Sequence, residues 1–169
     1  MSPAVLEALL EGRRREAEEQ LGLSLPDGWP DQRDEPFLRL RLEQMQRDPG
    51  TQPWLVRALV LRGERQMVGH AGFHGPPGAH GLRPGAVEVG YTVHAPFRGR
   101  GYATEATVAL MEWAEARGIR HFVASVGPSN EPSLAIVGKL GFVQTGDQWD
   151  EEDGLELVFE LIRSAEPGG

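Results

Sequence analysis

Not one cysteine occurs among the 169 residues of this chain, which excludes a thiol nucleophile, a disulfide framework and a thiolate metal site, and leaves the redox compartment open. Any group transfer made here proceeds without a cysteinyl intermediate. Positive charge is also scarce: 17 Lys and Arg stand against 25 Asp and Glu, a formal net charge of −8 with a pI near 5.1. Nucleic acid, held chiefly by cations that neutralise phosphates, is a poor match for such a chain. An acidic body suits a cationic acceptor and serves solubility equally well. No apolar run approaches the roughly 18 residues of a membrane span, and Glu7 and Glu11 interrupt the apolar stretch a secretion signal would need. The expectation is a cytoplasmic protein with neither a membrane nor nucleic acid as partner. Its length suits one domain with a substantial core.

There is no internal repeat and no low-complexity linker, but the character of the chain changes near residue 50. Ser2-Pro3 reads as an N-cap and first-turn pair, and Val5, Leu6, Leu9, Leu10, Ala17 and Leu21 recur at helical spacing, predicting one amphipathic helix over residues 3–21 with Arg13, Arg14 and Arg15 on its wet face. Residues 22–33 read as a loop. Asp34 should cap a second helix that carries Phe37, Leu38, Leu42 and Met45 and stops at Asp48-Pro49-Gly50. From residue 54 the apolar period becomes two. Strands are expected over 54–62 and 67–74, pairing as an antiparallel hairpin.

A Gly- and Pro-rich loop over 75–85 leads into a strand at 86–94, and a helix over 102–117 should bury Ala103, Ala106, Leu110, Trp113, Ala114 and Arg117 on one side. The strand at 121–125 then lies parallel to that at 86–94 by the crossover rule. Asn130 can cap a helix over 131–140. Two last strands, 142–149 and 155–163, form a hairpin across the acidic turn 150–153. This order predicts a mixed sheet with helices on both faces, an α/β (α+β) fold in which residues 1–163 make a single domain. Residues 1–50 would supply its N-terminal helices, residues 54–162 its core, and residues 164–169 a disordered tail.

The most informative segment is Arg98-Gly99-Arg100-Gly101-Tyr102-Ala103, between the strand ending near Val93 and the helix beginning at Tyr102. The unsatisfied N–H groups of a first helical turn and the positive end of its dipole favour a phosphate or diphosphate. Spelled alone, the segment is equally an ordinary basic turn. It is not a dinucleotide fingerprint, because Thr104 stands where the third glycine belongs, and no Gly-Lys-Ser/Thr of a P-loop occurs. Histidines 70 and 74 have the spacing of a helical zinc pair, but on a strand they would lie roughly 13 Å apart, too far to share an ion. No metal is expected.

Arg98-x-x-Gly101-x-Ala103 follows the strand Val87-Glu88-Val89-Gly90-Tyr91-Thr92-Val93 and precedes Asn130-Glu131-Pro132-Ser133 and Lys139-Leu140-Gly141-Phe142. The combination resembles the GNAT (GCN5-related N-acetyltransferase) family, especially its branch like the ribosomal-protein N-terminal acetyltransferases. The resemblance is tight over residues 87–142 and weakest before 54. It implies a three-layer α/β/α fold whose mixed, mostly antiparallel sheet splays between two parallel central strands. It also implies acetyl coenzyme A as acyl donor. The diphosphate would rest on Arg98, Gly99, Arg100, Gly101, Tyr102, Ala103 and Thr104, the pantetheine arm on Tyr91, Thr92 and Val93, with Asn130, Ser133 and Lys139 also on the donor side.

Direct transfer to an amine needs a proton acceptor, because a lysine side chain titrates near 10.4 and an α-amino group near 8. Glu88, which interrupts an apolar strand on the face of Gly90 and Thr92, is the candidate base, with a pKa expected to be raised by burial. A sheet-surface Glu paired with Arg is the alternative. Many members of the family have a tyrosine as general acid where this chain has Val137, so Ser133, one turn earlier, is the candidate partner of the leaving thiolate. Trp29, Phe37 and His74 are candidates for lining the acceptor site, and His94 is expected to touch solvent. The acceptor would be an amine-bearing small molecule or a peptide or protein amine, and the protein a monomer or homodimer. The alternatives are a catalytically weak acyl-CoA-binding module and an interaction domain that binds no cofactor.

Overall fold

The computed structural model describes residues 1–151 and 154–164. Residues 152–153 of the expected acidic turn 150–153, and residues 165–169 of the expected tail 164–169, lie outside the described residues. Two compact units share the chain: the first takes Met1–Gly72 and Tyr91–Tyr102, the second Phe73–Gly90 and the chain from Ala103 on.

The first unit begins with two helices, α1 (Pro3–Leu10) and α2 (Arg14–Leu21), where one was expected over 3–21. The apolar period runs through the break, but Gly12 adopts φ 71° and the chain closes α1 with Gly12 N–H donating to Leu9 O at 3.2 Å and Arg13 N–H to Ala8 O at 2.8 Å. This is the pair of bonds by which a left-handed glycine ends a helix. Ser2 caps α1 as expected, accepting from Val5 N–H. Val5, Leu6, Ala8 and Leu9 of α1 join Ala17 of α2, and Leu38 and Met45 of α3 (Glu35–Arg47), in one buried cluster. Asp34 precedes α3 without capping it, because its Oδ2 instead accepts from Asp31 N–H at 2.8 Å.

The basic triplet is not uniformly wet. Arg14 turns inward, and its guanidinium donates to the carbonyls of Leu25 (2.6 Å), Pro26 (3.1 Å from each Nη) and Trp29 (2.9 Å). Glu18 braces the same loop, accepting from Leu25 N–H at 3.0 Å and facing Arg14 Nε at 3.3 Å. A long loop with little regular structure thus has three of its carbonyls satisfied by one cation.

A 3-10 turn at Pro49–Trp54 shortens the expected first strand to β1 (Arg57–Val60), which pairs antiparallel with β2 (Met67–Phe73) from Arg57↔Ala71 to Val60↔Met67. Every residue of β2 is buried, so its polar member, His70, is buried too. The His70 ring stacks on Phe37 at 4.7 Å between centroids and lies 6.2 Å from Trp29 and 6.3 Å from His94. Arg41, itself buried, places its guanidinium 5.0 Å from the Phe37 centroid. Burial, then electrostatic repulsion from His94 and from the Arg41 cation, pushes the His70 pKa down to about 4.

In the second unit β3 (Ala86–Val93) runs parallel to β4 (His121–Val126), from Ala86↔His121 to Glu88↔Val123. The connection between them passes through helix α4 (Tyr102–Glu115), as the crossover rule requires. The ladder stops at Glu88↔Val123 although β3 continues to Val93 and β4 to Val126. Helix α5 (Glu131–Leu140) follows, then β5 (Val143–Asp150) and β6 (Gly154–Ile162). Strand β6 lies antiparallel between β4 and β5, completing a mixed parallel and antiparallel arrangement of the α/β class. Helix α4 buries Ala106, Thr107, Leu110, Met111 and Ala114, with the Thr107 hydroxyl satisfied by Ala103 O at 2.8 Å. Buried Phe73 and Phe122 fill this unit, the former 6.2 Å from the Trp113 ring.

Two outcomes follow for the first unit. Arg14→Ala strips partners from three loop carbonyls and lowers unfolding free energy by about 1.5–3 kcal/mol in urea titration, whereas Arg15→Ala, on the exposed side, changes it by less than about 0.5 kcal/mol. The neutral form of His70 is the one the fold accepts, so the unfolded chain binds the extra proton between pH ~6.5 and the folded value of about 4. Its share of stability is complete above pH 6.5 and is lost as pH falls toward 4, about 3 kcal/mol in all, and His70→Phe flattens that slope in melts at stepped pH.

Candidate active site

The segment from β3 to α4 forms a 3-10 turn at Ala95–Phe97 and then the glycine–arginine loop. Gly99 and Gly101 have φ 73° and 83°, and a Cβ at either would meet no atom within 4 Å. The glycines are therefore required by the conformation of the loop, since L side chains rarely adopt these angles. Arg98 Nε donates to Val93 O at 2.9 Å and Arg100 Nη2 to Pro96 O at 3.4 Å, so both exposed arginines brace the loop from outside. The first-turn amides of α4, beginning at Tyr102, Ala103 and Thr104, have no intrahelical acceptors and carry the positive end of the helix dipole.

Glu88 sits in the second unit, 9% exposed. Its Oε1 accepts from the Ser125 hydroxyl at 2.6 Å, and its Oε2 lies 3.4 Å from His74 Nδ1. Gln148 Nε2 donates to Ser125 Oγ at 3.1 Å and to Glu156 Oε2 at 3.0 Å. The result is a directed chain, Gln148 to Ser125 to Glu88, with His74 on the other carboxylate oxygen. Burial pushes the Glu88 pKa up, but the bonds from His74 and Ser125, with the charges of His74 and His80, outweigh it and leave the group below its ordinary value. The raised pKa expected from burial alone is thus corrected by its neighbours, and the partners of Glu88 are His74 and Ser125 where a surface Glu would have paired with Arg.

Of the other expected residues, Tyr91 and Val93 are half-buried and Thr92 is exposed at the end of β3. Asn130 caps α5, its Oδ1 accepting from Ser133 N–H at 3.2 Å. Ser133 is half-buried and Lys139 exposed on the same helix, while Val137 is 3% exposed, a packed core residue in the place of the family's tyrosine. Trp29 is buried in the core of the first unit with its indole N–H unpartnered, and Phe37 is the half-buried ring against His70. His94, expected at the solvent, instead packs 5.4 Å from Trp29 with its Nε2 buried and unpartnered. Burial foremost, with Arg98 adding and Asp34 opposing, lowers its pKa. The structure gathers His74 and Glu88 in one unit and Trp29 and Phe37 in the other. Ser125 and Gln148 escaped the sequence reading. A hydroxyl in the apolar strand His121–Val126 was the signal for the first, and an outward Gln on a hairpin offered none for the second.

Comparisons with known proteins agree with this architecture. The profile of the "Acetyltransferase (GNAT) domain" family matches residues 6–143. Two uncharacterized N-acetyltransferases of Bacillus subtilis (strain 168) are similar: YnaD, 26% identical over 56% of this chain and 58% of its own length, and YjdG, 27% identical over 76% and 74%. This chain therefore spans somewhat over half of YnaD. Among solved structures, a GnaT-family acetyltransferase from Bordetella pertussis is 26% identical with a TM-score of 0.63, covering 88% of this chain and 92% of its own. A ribosomal-protein-alanine N-acetyltransferase from Brucella melitensis, 23% identical, has a TM-score of 0.60 over 96% and 97%, and shares the fold. With a domain profile matching across α1 to the start of β5, the chain belongs to the GNAT acetyltransferase family.

Proposed function

We propose that this protein is an N-acetyltransferase that moves an acetyl group from acetyl coenzyme A to a primary amine by direct transfer in a ternary complex. The observation that carries the reading is the loop at 98–104, where two left-handed glycines open a 14-residue helix and present its free amides, in a chain of GNAT membership. Those amides suit a diphosphate, and the space around Gly99 and Gly101 leaves room for one. A neighbour in fold, the microcin C7 self-immunity acetyltransferase MccE, 16% identical with a TM-score of 0.60, was solved with acetyl-CoA and AMP.

On this reading Tyr91, Thr92 and Val93 offer backbone groups to the pantetheine arm, and a backbone N–H near Val93 polarises the thioester carbonyl, an effect of a few kcal/mol on the barrier. Asn130 and Ser133 lie on the donor side, as does Lys139. Ser133 is the hydroxyl available to the departing thiolate, because Val137 carries no proton to give. An ordinary thiol titrates near 8.5, so departure as thiolate needs little acid assistance. The acceptor is an amine-bearing small molecule or a peptide or protein amine, and Trp29 and Phe37 belong to the unit that carries the N-terminal helices. The protein works in the cytoplasm as a monomer or homodimer.

Isothermal titration with coenzyme A yields saturable heat for the wild type, and Gly101→Ala weakens binding about tenfold, because a non-glycine residue at φ 83° costs about 1–2 kcal/mol and the loop relaxes out of its shape. Free thiol released from acetyl coenzyme A across a panel of amines and peptides then identifies turnover. Heat without thiol release would mean the catalytically weak acyl-CoA-binding module that Val137 makes conceivable, and absence of both would end the proposal.

A further inference from the structure

In the pair formed by Glu88 and His74 the carboxylate is the inner member: 10% of its side chain is exposed, against 43% for His74. Both carboxylate oxygens are engaged, Oε1 by the Ser125 hydroxyl, which Gln148 supports from behind, and Oε2 by His74 Nδ1. A carboxylate held in this way places the proton of a neutral imidazole on the nitrogen facing it and leaves the other nitrogen basic. That other nitrogen, His74 Nε2, lies over Gly90. A Cβ on Gly90 would come within 2.8 Å of Nε2 and 3.2 Å of Cδ2, so the ring occupies its place only because residue 90 has no side chain. The backbone beneath the ring is fixed as well, with His74 N–H donating to Glu88 O at 2.9 Å and His80 Nε2 within 3.2 Å of His74 O.

We infer that His74 Nε2, oriented by Glu88, is the group that takes the proton from the acceptor ammonium, with Glu88 and Ser125 as positioning residues; the inference rests on the acetyltransfer reading above. An N–H bond of the R–NH3+ acceptor breaks with its electron pair staying on nitrogen, and the proton moves to Nε2, leaving R–NH2 and an imidazolium beside the Glu88 carboxylate. The nitrogen lone pair attacks the thioester carbonyl. The C–N bond forms and the C–S bond breaks, with sulfur leaving as thiolate. The second proton of that nitrogen goes to the thiolate as the amide forms, and His74 passes its own to water at its exposed edge. The products are amide, thiol and one proton.

The base role that the sequence suggested for Glu88 thereby moves one residue outward. A carboxylate with both oxygens held and its pKa below the ordinary range keeps its charge at neutral pH instead of collecting protons. The same carboxylate orients the ring beside it, as the carboxylate of a triad does. Titratable groups near His74 include Glu88 from β3 and His80 from the Ala79–Gly81 turn.

The test measures kcat/KM by thiol release from pH 6 to 9, with acetyl coenzyme A and the amine that the panel selects, for the wild type and for His74→Gln, Glu88→Gln and Gly90→Ala. Thermal melts confirm that each variant is folded. His74→Gln is expected to lose about 10²–10³-fold in kcat with an unchanged KM for acetyl coenzyme A, and to lose the acidic limb of the profile. Added imidazole partly restores His74→Gly. Glu88→Gln loses less and keeps an acidic limb, because the imidazole that takes the proton is still there. Gly90→Ala, which displaces the ring while leaving every charge in place, also lowers kcat. His74→Gln within twofold of the wild type, with Glu88→Gln inactive, would return the proton to Glu88 and overturn the inference alone. A wild type that releases no thiol with any amine overturns the acetyltransfer reading and this one together.

Discussion

The second unit is organised around one negative charge kept out of water. An ionised carboxylate buried without partners would cost several kcal/mol, and Glu88 avoids this only because β4 brings the Ser125 hydroxyl to one oxygen and the residue after β2 brings the His74 imidazole to the other. That requirement reaches into the backbone. The β3–β4 register places Glu88 opposite Val123, so Ser125 stands two residues further along the neighbouring strand. Gly90 must stay bare for the imidazole to lie where it does. The two partners also decide the direction of the pKa shift, since burial alone would have raised it.

The first unit solves a different problem. Its long connection between α2 and α3 has carbonyls to satisfy and little regular structure with which to satisfy them. Arg14 serves three of them from one guanidinium, and its own position depends on the helix break at Gly12 that starts α2 where it does. Behind this clamp, Trp29, Phe37, His70 and His94 pack as a cluster of rings in which both histidines are held toward the neutral form. A proton on either would bring a charge close to Arg41 or Arg98.

Much of this architecture was legible in the residues. The strand from Met67 on, the Gly–Arg loop before Tyr102, Asn130 as the cap of α5 and the crossover that sets β3 parallel to β4 rest on local or topological signals, and each has its counterpart in the structure, although β2 is buried on both faces instead of alternating. Family membership followed from the same spellings. The failures were of another kind. The apolar period continues across Gly12, so periodicity could not reveal two helices. Asp34 is a good cap by composition but found a nearer donor in Asp31. The sign of the Glu88 shift depends on Ser125, 37 residues away, and on a side-chain rotamer of His74, neither of which leaves a mark on local pattern. Likewise nothing around His94 announced that Trp29 would cover it.

The proton route through His74 depends on the charge state of that one buried carboxylate. Titrating the side-chain carboxyl carbon of Glu88 by NMR, assigned by difference from Glu88→Gln, reads it directly. A midpoint below about 4.3, the ordinary glutamate value, that rises in His74→Gln is the predicted result. A midpoint well above that value, unmoved by His74→Gln, would show that burial prevails over the two partners and would contradict the pairing from which the proton route is built.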